Sequence, residues 1–129
     1  MNWWAFIAIG SGAALGAWAR WGLGIWLNHL IPSLPLGTLV ANLSGGYVIG
    51  LALAWFAASP GVSPEMRLLL VTGFLGALTT FSTFSAESVD LLQRQHYGWA
   101  AAHALFHLAG SLLATALGMW TLRLLKGVG

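Results

Sequence analysis

The chain has 129 residues, which allows a single domain. Asp, Glu, Lys and Arg make up 6% of it, against about 25% in a soluble domain, while hydrophobic residues make up 58% and the mean hydropathy is +0.80. These figures exclude a soluble enzyme, whose surface needs more charge, and a disordered chain. Cysteine is absent, so disulfides, thiolate metal sites and cysteine nucleophiles are excluded as well. The net charge of +2 rests on five scattered basic residues that form no stripe, so nucleic-acid binding has no support.

Residues 3–19, 21–64, 68–86 and 95–122 contain no Asp, Glu, Lys or Arg. About 20 apolar residues cross the hydrocarbon core of a bilayer. The second stretch is too long for one span, and Pro32 and Pro35 divide it. The expectation is an all-α membrane protein with one transmembrane domain over 1–129 and four helices near 3–29, 35–57, 65–94 and 99–125. The opening MNWWAFIAIG lacks a basic leader and a small-residue cleavage site, so it reads as the first span.

Span one carries Gly12 and Gly16, a small-xxx-small pair that lets helix backbones approach in lipid. Span two repeats the pattern at Gly46 and Gly50, and span four at Gly110, Ala114 and Gly118. Trp3, Trp4, Trp99 and Trp120 fall near span ends, where interface anchors belong. Four spans put both termini and the 58–64 loop on one side with Arg67, Arg123 and Lys126, against Arg20 and Arg94 on the other. So small a bias permits insertion in either direction. Four helices alone enclose no generous aqueous pore, so a transport path must be narrow or shared between subunits.

Span three carries the chemistry. Thr79, Thr80, Ser82, Thr83, Ser85, Glu87 and Ser88 place seven hydroxyl or carboxyl groups within ten residues. Gly73, Gly76 and the paired threonines weaken the helix there, and a broken helix survives in a membrane only where its freed backbone groups find partners. Freed carbonyls suit a small cation; freed amides and hydroxyls suit an anion. Span four adds a polar stripe of His103, His107, Ser111 and Thr115 at i, i+4 spacing. It reads either as a pore lining or, with two histidine ligands, as part of a metal site.

Three segments together resemble the bacterial fluoride channels of the Fluc/CrcB family, over nearly the whole chain. Gly73-Phe-Leu-Gly76-Ala-Leu-Thr79-Thr80-Phe81-Ser82-Thr83-Phe84-Ser85-Ala-Glu87 is similar to the family's GFxGxxTTFSTFSxE signature. Gly37-Thr38-Leu-Val-Ala-Asn42-Leu-Ser-Gly45-Gly46-Tyr-Val-Ile-Gly50 resembles its GTLxxNxxGxxxxG signature, and Gly12 to Arg20 resembles its first-span motif. The resemblance implies a homodimer of chains inserted in opposite directions, whose interface uses the same patch twice. It implies two fluoride pores per dimer and passive fluoride efflux across a bacterial inner membrane, which protects the cell from fluoride. It also implies a structural sodium ion at the span-three break, held by the backbone carbonyls of Gly76 and Thr79 from both subunits.

By the same resemblance, Thr38, Asn42, Phe81 and Phe84 lie along the pore. Aromatic rings have a positive edge that can meet an anion. Ser82, Thr83 and Ser111 are further hydroxyl donors, while Arg20, Glu87 and His107 belong to the vestibule and polar track. Where His107 stands, known members carry a small hydroxyl residue, so the local pore chemistry differs. The expected partners are fluoride, a second copy of the chain and the lipid bilayer. Two rival classes are weaker. A small proton-coupled multidrug transporter of dual topology needs an acid in span one, which has Arg20 instead. A structural membrane subunit explains the glycine stripes but not the hydroxyls of span three. An enzyme would need a nucleophile–base pair that is not evident.

Overall fold

In the computed structural model, residues 2–127 are described, and among them every regular element is helical. Helix α1 spans Trp3–Leu27 and is capped by the Asn2 side chain, which accepts the Trp4 N–H at 3.0 Å. A turn leads to α2, Leu36–Ala58, which begins directly after Pro35. Asn28, just past α1, accepts the Gly37 N–H at 2.8 Å and ties the two helices at this end.

The third membrane-length segment, Pro64–Gln93, is composite. It opens as α3, Pro64–Arg67, with Ser63 as its cap and Pro64 in the first turn, where a missing N–H costs nothing. It then winds as a π-helix over Leu68–Leu75 and closes with the single turn α4, Gly76–Leu78. Thr79 and Thr80 are extended, with ψ of 156° and 121°. Helix α5, Phe81–Gln93, restarts after them, and the Thr80 hydroxyl caps it by accepting the Thr83 N–H at 3.0 Å. Helix α6, Tyr97–Lys126, returns along the bundle and stops at Gly127, whose φ is 64°.

Three helical segments are long and apolar enough to cross a membrane: Leu36–Ala58, Pro64–Gln93 and Tyr97–Lys126. Their outer faces keep large apolar side chains exposed, including Leu53, Val89, Leu105, Leu112 and Trp120. Such a surface is suited to lipid and not to water. The protein is therefore a multi-pass membrane protein.

Glycines set the packing. Helix α1 lies against the π-helical segment, where a methyl group on Gly12 would sit 2.9 Å from the Phe74 nitrogen. Helix α2 lies against α6, where a methyl on Gly50 would sit 2.9 Å from the Met119 nitrogen and one on Gly118 would sit 3.0 Å from the Leu51 nitrogen. Backbone meets backbone at these points, as the small-residue stripes require. A small core of Ala41, Leu75 and Leu78 joins α2 to the broken segment. At one end of the bundle Asn2 bonds Glu65 and Lys126 bonds Ser59, so the start of α1 and the end of α6 gather near the 58–64 loop.

Candidate functional site

The break at Thr79–Thr80 organises the interior. An interrupted helix leaves amides and carbonyls that must find partners in an apolar surrounding. The Asn42 side chain from α2 takes both groups of Thr80: its Oδ1 accepts the Thr80 N–H at 2.7 Å, and its Nδ2 donates to the Thr80 carbonyl at 3.0 Å. Arg20 from α1 takes the next group, with Nε donating to the Ala77 carbonyl at 2.9 Å. Its Nη1 lies 3.4 Å from the Thr83 hydroxyl, so one guanidinium bridges both sides of the break. The Thr79 N–H and hydroxyl both donate to the Leu75 carbonyl. Among the described residues, the Gly76 and Thr79 carbonyls receive no hydrogen bond, and Gly76 is exposed.

Two clefts flank the break. One, of about 470 Å³, is lined by Asn42, Gly76, Thr79, Phe81, His107 and Ser111 among others. The other, of about 540 Å³, is lined by Arg20, Thr38, Thr83 and Asn28 with apolar neighbours. Asn42 and Thr38, one turn apart on α2, thus line different clefts. The hydroxyls divide too. Thr83 faces Arg20, while Ser82 is exposed and shares only a 3.1 Å contact with the Thr80 hydroxyl.

Phe81 and Phe84 meet at 5.4 Å between ring centroids with planes 51° apart. They differ in burial: Phe84 is 8% exposed and Phe81 is 71% exposed, so only Phe84 is enclosed by its own chain. Phe84 stacks on His103 at 5.1 Å and tilts against His107 at 4.8 Å. The two histidine rings are 4.5 Å apart, as side chains one turn apart on α6 should be.

Glu87 is fully engaged. One carboxylate oxygen accepts the Thr38 hydroxyl at 2.6 Å, and the other is 2.9 Å from His103 Nε2. His103 Nδ1 in turn is 3.0 Å from the Ser88 hydroxyl. A carboxyl group in an apolar surrounding is costly unless hydrogen-bonded, and here both oxygens have a partner. His107 Nδ1 is 3.0 Å from Asn42 Nδ2, while its Nε2 is buried with no partner among the described residues. Glu87, His103 and His107 offer ligand atoms within 4.8 Å of one another.

The site residues expected from sequence therefore fall into two neighbouring groups. Asn42, Thr79, Phe81, Phe84, Ser111 and His107 gather at one cleft, and Arg20, Thr38 and Thr83 at the other. Glu87 joins Thr38 to His103 between them. Ser82 lines neither cleft. Sequence reading counted Ser88 among the hydroxyls of span three without giving it a role, and gave His103 no settled place. The available signal was the four-residue spacing of the histidines, but it gives a shared face on α6 and says nothing of partners on α5.

The family described as CrcB-like protein, Camphor Resistance (CrcB), matches residues 7–119. A Thiobacillus denitrificans protein named fluoride-specific ion channel FluC is 61% identical over 95% of this chain and 98% of its own length. Relatives of the same name from Cupriavidus pinatubonensis and Pseudomonas putida are 62% and 58% identical, over 93% and 95% of this chain and 95% and 97% of their own lengths. All three helix motifs, the break and both clefts lie within the matched region, and the chain belongs to the CrcB family.

Proposed function

We propose that this chain forms a fluoride-selective channel giving passive fluoride efflux across a bacterial inner membrane. The supporting observation is the near full-length similarity to proteins named as fluoride-specific channels. It is joined by a helix break whose lining offers donors and aromatic rings but no unengaged acid. Fluoride is small and strongly hydrated, so a path must replace its water donors with protein donors and ring edges. Arg20 beside the second cleft raises the local anion concentration.

The working unit is an antiparallel homodimer of four-span chains with two pores. Helix α1, at 25 residues, is long enough to serve as the fourth span. Phe81 is 71% exposed and Gly76 is exposed on the single chain, as residues awaiting a second copy would be. The Gly76 and Thr79 carbonyls are hard oxygen donors without hydrogen-bond partners, which fits a structural sodium ion shared across the two-fold axis. Bound there, sodium would neutralise the partial negative charge of these carbonyls.

Growth tests the reading. Bacteria stripped of their own fluoride exporter should regain growth in fluoride when they express this chain, and Phe81→Ala with Phe84→Ala should abolish the rescue. Rescue by the double variant would favour a scaffold role. Replacing sodium with N-methyl-glucamine on both sides should weaken the purified dimer and its flux, and indifference to sodium would remove the ion from the scheme.

A further inference from the structure

We infer that Asn42 is a positioning residue that fixes His107 in its Nε2–H tautomer, and that this buried N–H is a donor offered to a small anion at the helix break. The inference rests on the channel reading for the identity of the anion.

The orientation of the Asn42 amide is set by its partners. Its oxygen faces the Thr80 N–H at 2.7 Å and its nitrogen faces the Thr80 carbonyl at 3.0 Å. A flipped amide would set donor against donor and acceptor against acceptor. The nitrogen therefore carries its two hydrogens toward Thr80 and toward His107 Nδ1, 3.0 Å away. An amide nitrogen accepts no hydrogen bond, so Nδ1 must be the acceptor. A neutral imidazole has one proton, and with Nδ1 bare that proton sits on Nε2.

Two consequences follow. Asn42 has spent both donors inside the protein and has none left for an ion. His107 Nε2–H, on a residue only 4% exposed, is a buried donor with no acceptor among the described residues. Such a group in apolar surroundings is costly and calls for an occupant. Glu87, the nearby carboxylate, accepts from Thr38 and His103 and makes no hydrogen bond to His107 Nε2. His107 lines the cleft at the break together with Phe84 and Ser111. A metal ion on the Glu87, His103 and His107 trio is the competing occupant. Ligation through Nε2 would move the proton to Nδ1, directly against the Asn42 NH₂, so the hydrogen-bond pattern favours an anion.

The test uses full-length protein with 15N-labelled histidine in lipid vesicles, with fluoride efflux measured on the same vesicles. Solid-state NMR should find His107 bare at Nδ1 and protonated at Nε2. The Nε2 signal should move with sodium fluoride but not with sodium chloride. Asn42→Asp, which accepts where Asn42 donates, should draw the proton to Nδ1 and abolish that response. His107→Phe keeps ring volume, removes the donor and should lower flux roughly tenfold; His107→Gln, which retains an N–H at that reach, should keep more flux than His107→Phe. An Nδ1–H tautomer in the parent would overturn the inference. So would an Nε2 signal indifferent to fluoride in conducting vesicles, or one that answers to Zn²⁺ alone, or full flux in His107→Phe. Vesicles that pass no fluoride would overturn the channel reading instead, and the spectrum would still decide the tautomer.

Discussion

The contact between α2 and α6 permits a prediction with an internal control. A methyl group added at Gly50 would lie 2.9 Å from the Met119 nitrogen and 3.0 Å from the Thr115 carbonyl carbon, with the Thr115 oxygen nearer still. All three atoms are backbone, so no side chain can swing aside and the helices must separate. Overpacking of this kind costs about 1–3 kcal/mol. The same change at Gly10 or Gly22, both within α1, meets nothing within 4 Å. There Gly→Ala gains about 0.8–1 kcal/mol of helix propensity. Gly50→Ala gains that propensity too, so its net cost is about 0–2 kcal/mol and the gap between it and either control is about 1–3 kcal/mol. Unfolding of the purified protein in mild detergent, followed by tryptophan fluorescence, would measure the gap. Equal stability of Gly50→Ala and both controls would refute the close backbone approach of α2 and α6.

Further substitutions address single contacts. Thr38→Val keeps the shape of a buried side chain but removes the hydroxyl that donates to Glu87; it should cost about 1.5–3 kcal/mol in the same unfolding assay, while Thr38→Ser should cost less. Arg20→Gln should lower fluoride flux more at low ionic strength than at high, because its long-range attraction is screened by salt. Gln95 holds a left-handed φ of 60° between α5 and α6, with its N–H on Leu92 and the His96 N–H on Leu91. Gln95→Gly should therefore stabilise by roughly 0.5–1 kcal/mol, since glycine adopts this conformation without the side-chain penalty. A loss of stability in this variant would show that the Gln95 side chain matters more than its backbone.

The helical character of the chain was legible because long charge-free stretches have few physical outcomes. Helix ends followed local punctuation. Pro35 and Ser63–Pro64 mark starts within one residue of the expected positions, while α1 ends at Leu27 where 29 was expected and α6 starts at Tyr97 where 99 was expected. No proline or glycine stands at the first of these ends, and at the second the helix begins one residue before Gly98. The weakness at Gly73, Gly76, Thr79 and Thr80 was visible as composition, and the extended backbone falls on the two threonines. The π-helical winding of Leu68–Leu75 was not visible, since Thr72 and Gly73 among apolar residues weaken a helix without specifying π over α winding. Partners across the bundle were also hidden. Spacing reveals which side chains share a helix face, but Asn42 meets Thr80 across 38 positions and Thr38 meets Glu87 across 49. Asn42 was expected along the pore, and the structure adds that its amide is bonded to Thr80 and His107. His103 was read only as part of a stripe, and its place between Glu87 and Ser88 depends on how α5 and α6 are packed.

The central claim is best tested by fluoride efflux from liposomes containing the purified protein, read with a fluoride electrode and run in parallel with chloride. The account predicts rapid fluoride release without a proton gradient, no chloride release, and a marked loss in the Phe81→Ala and Phe84→Ala variants. Well-folded protein in sodium-containing buffer that releases no fluoride, or releases both halides alike, would contradict it.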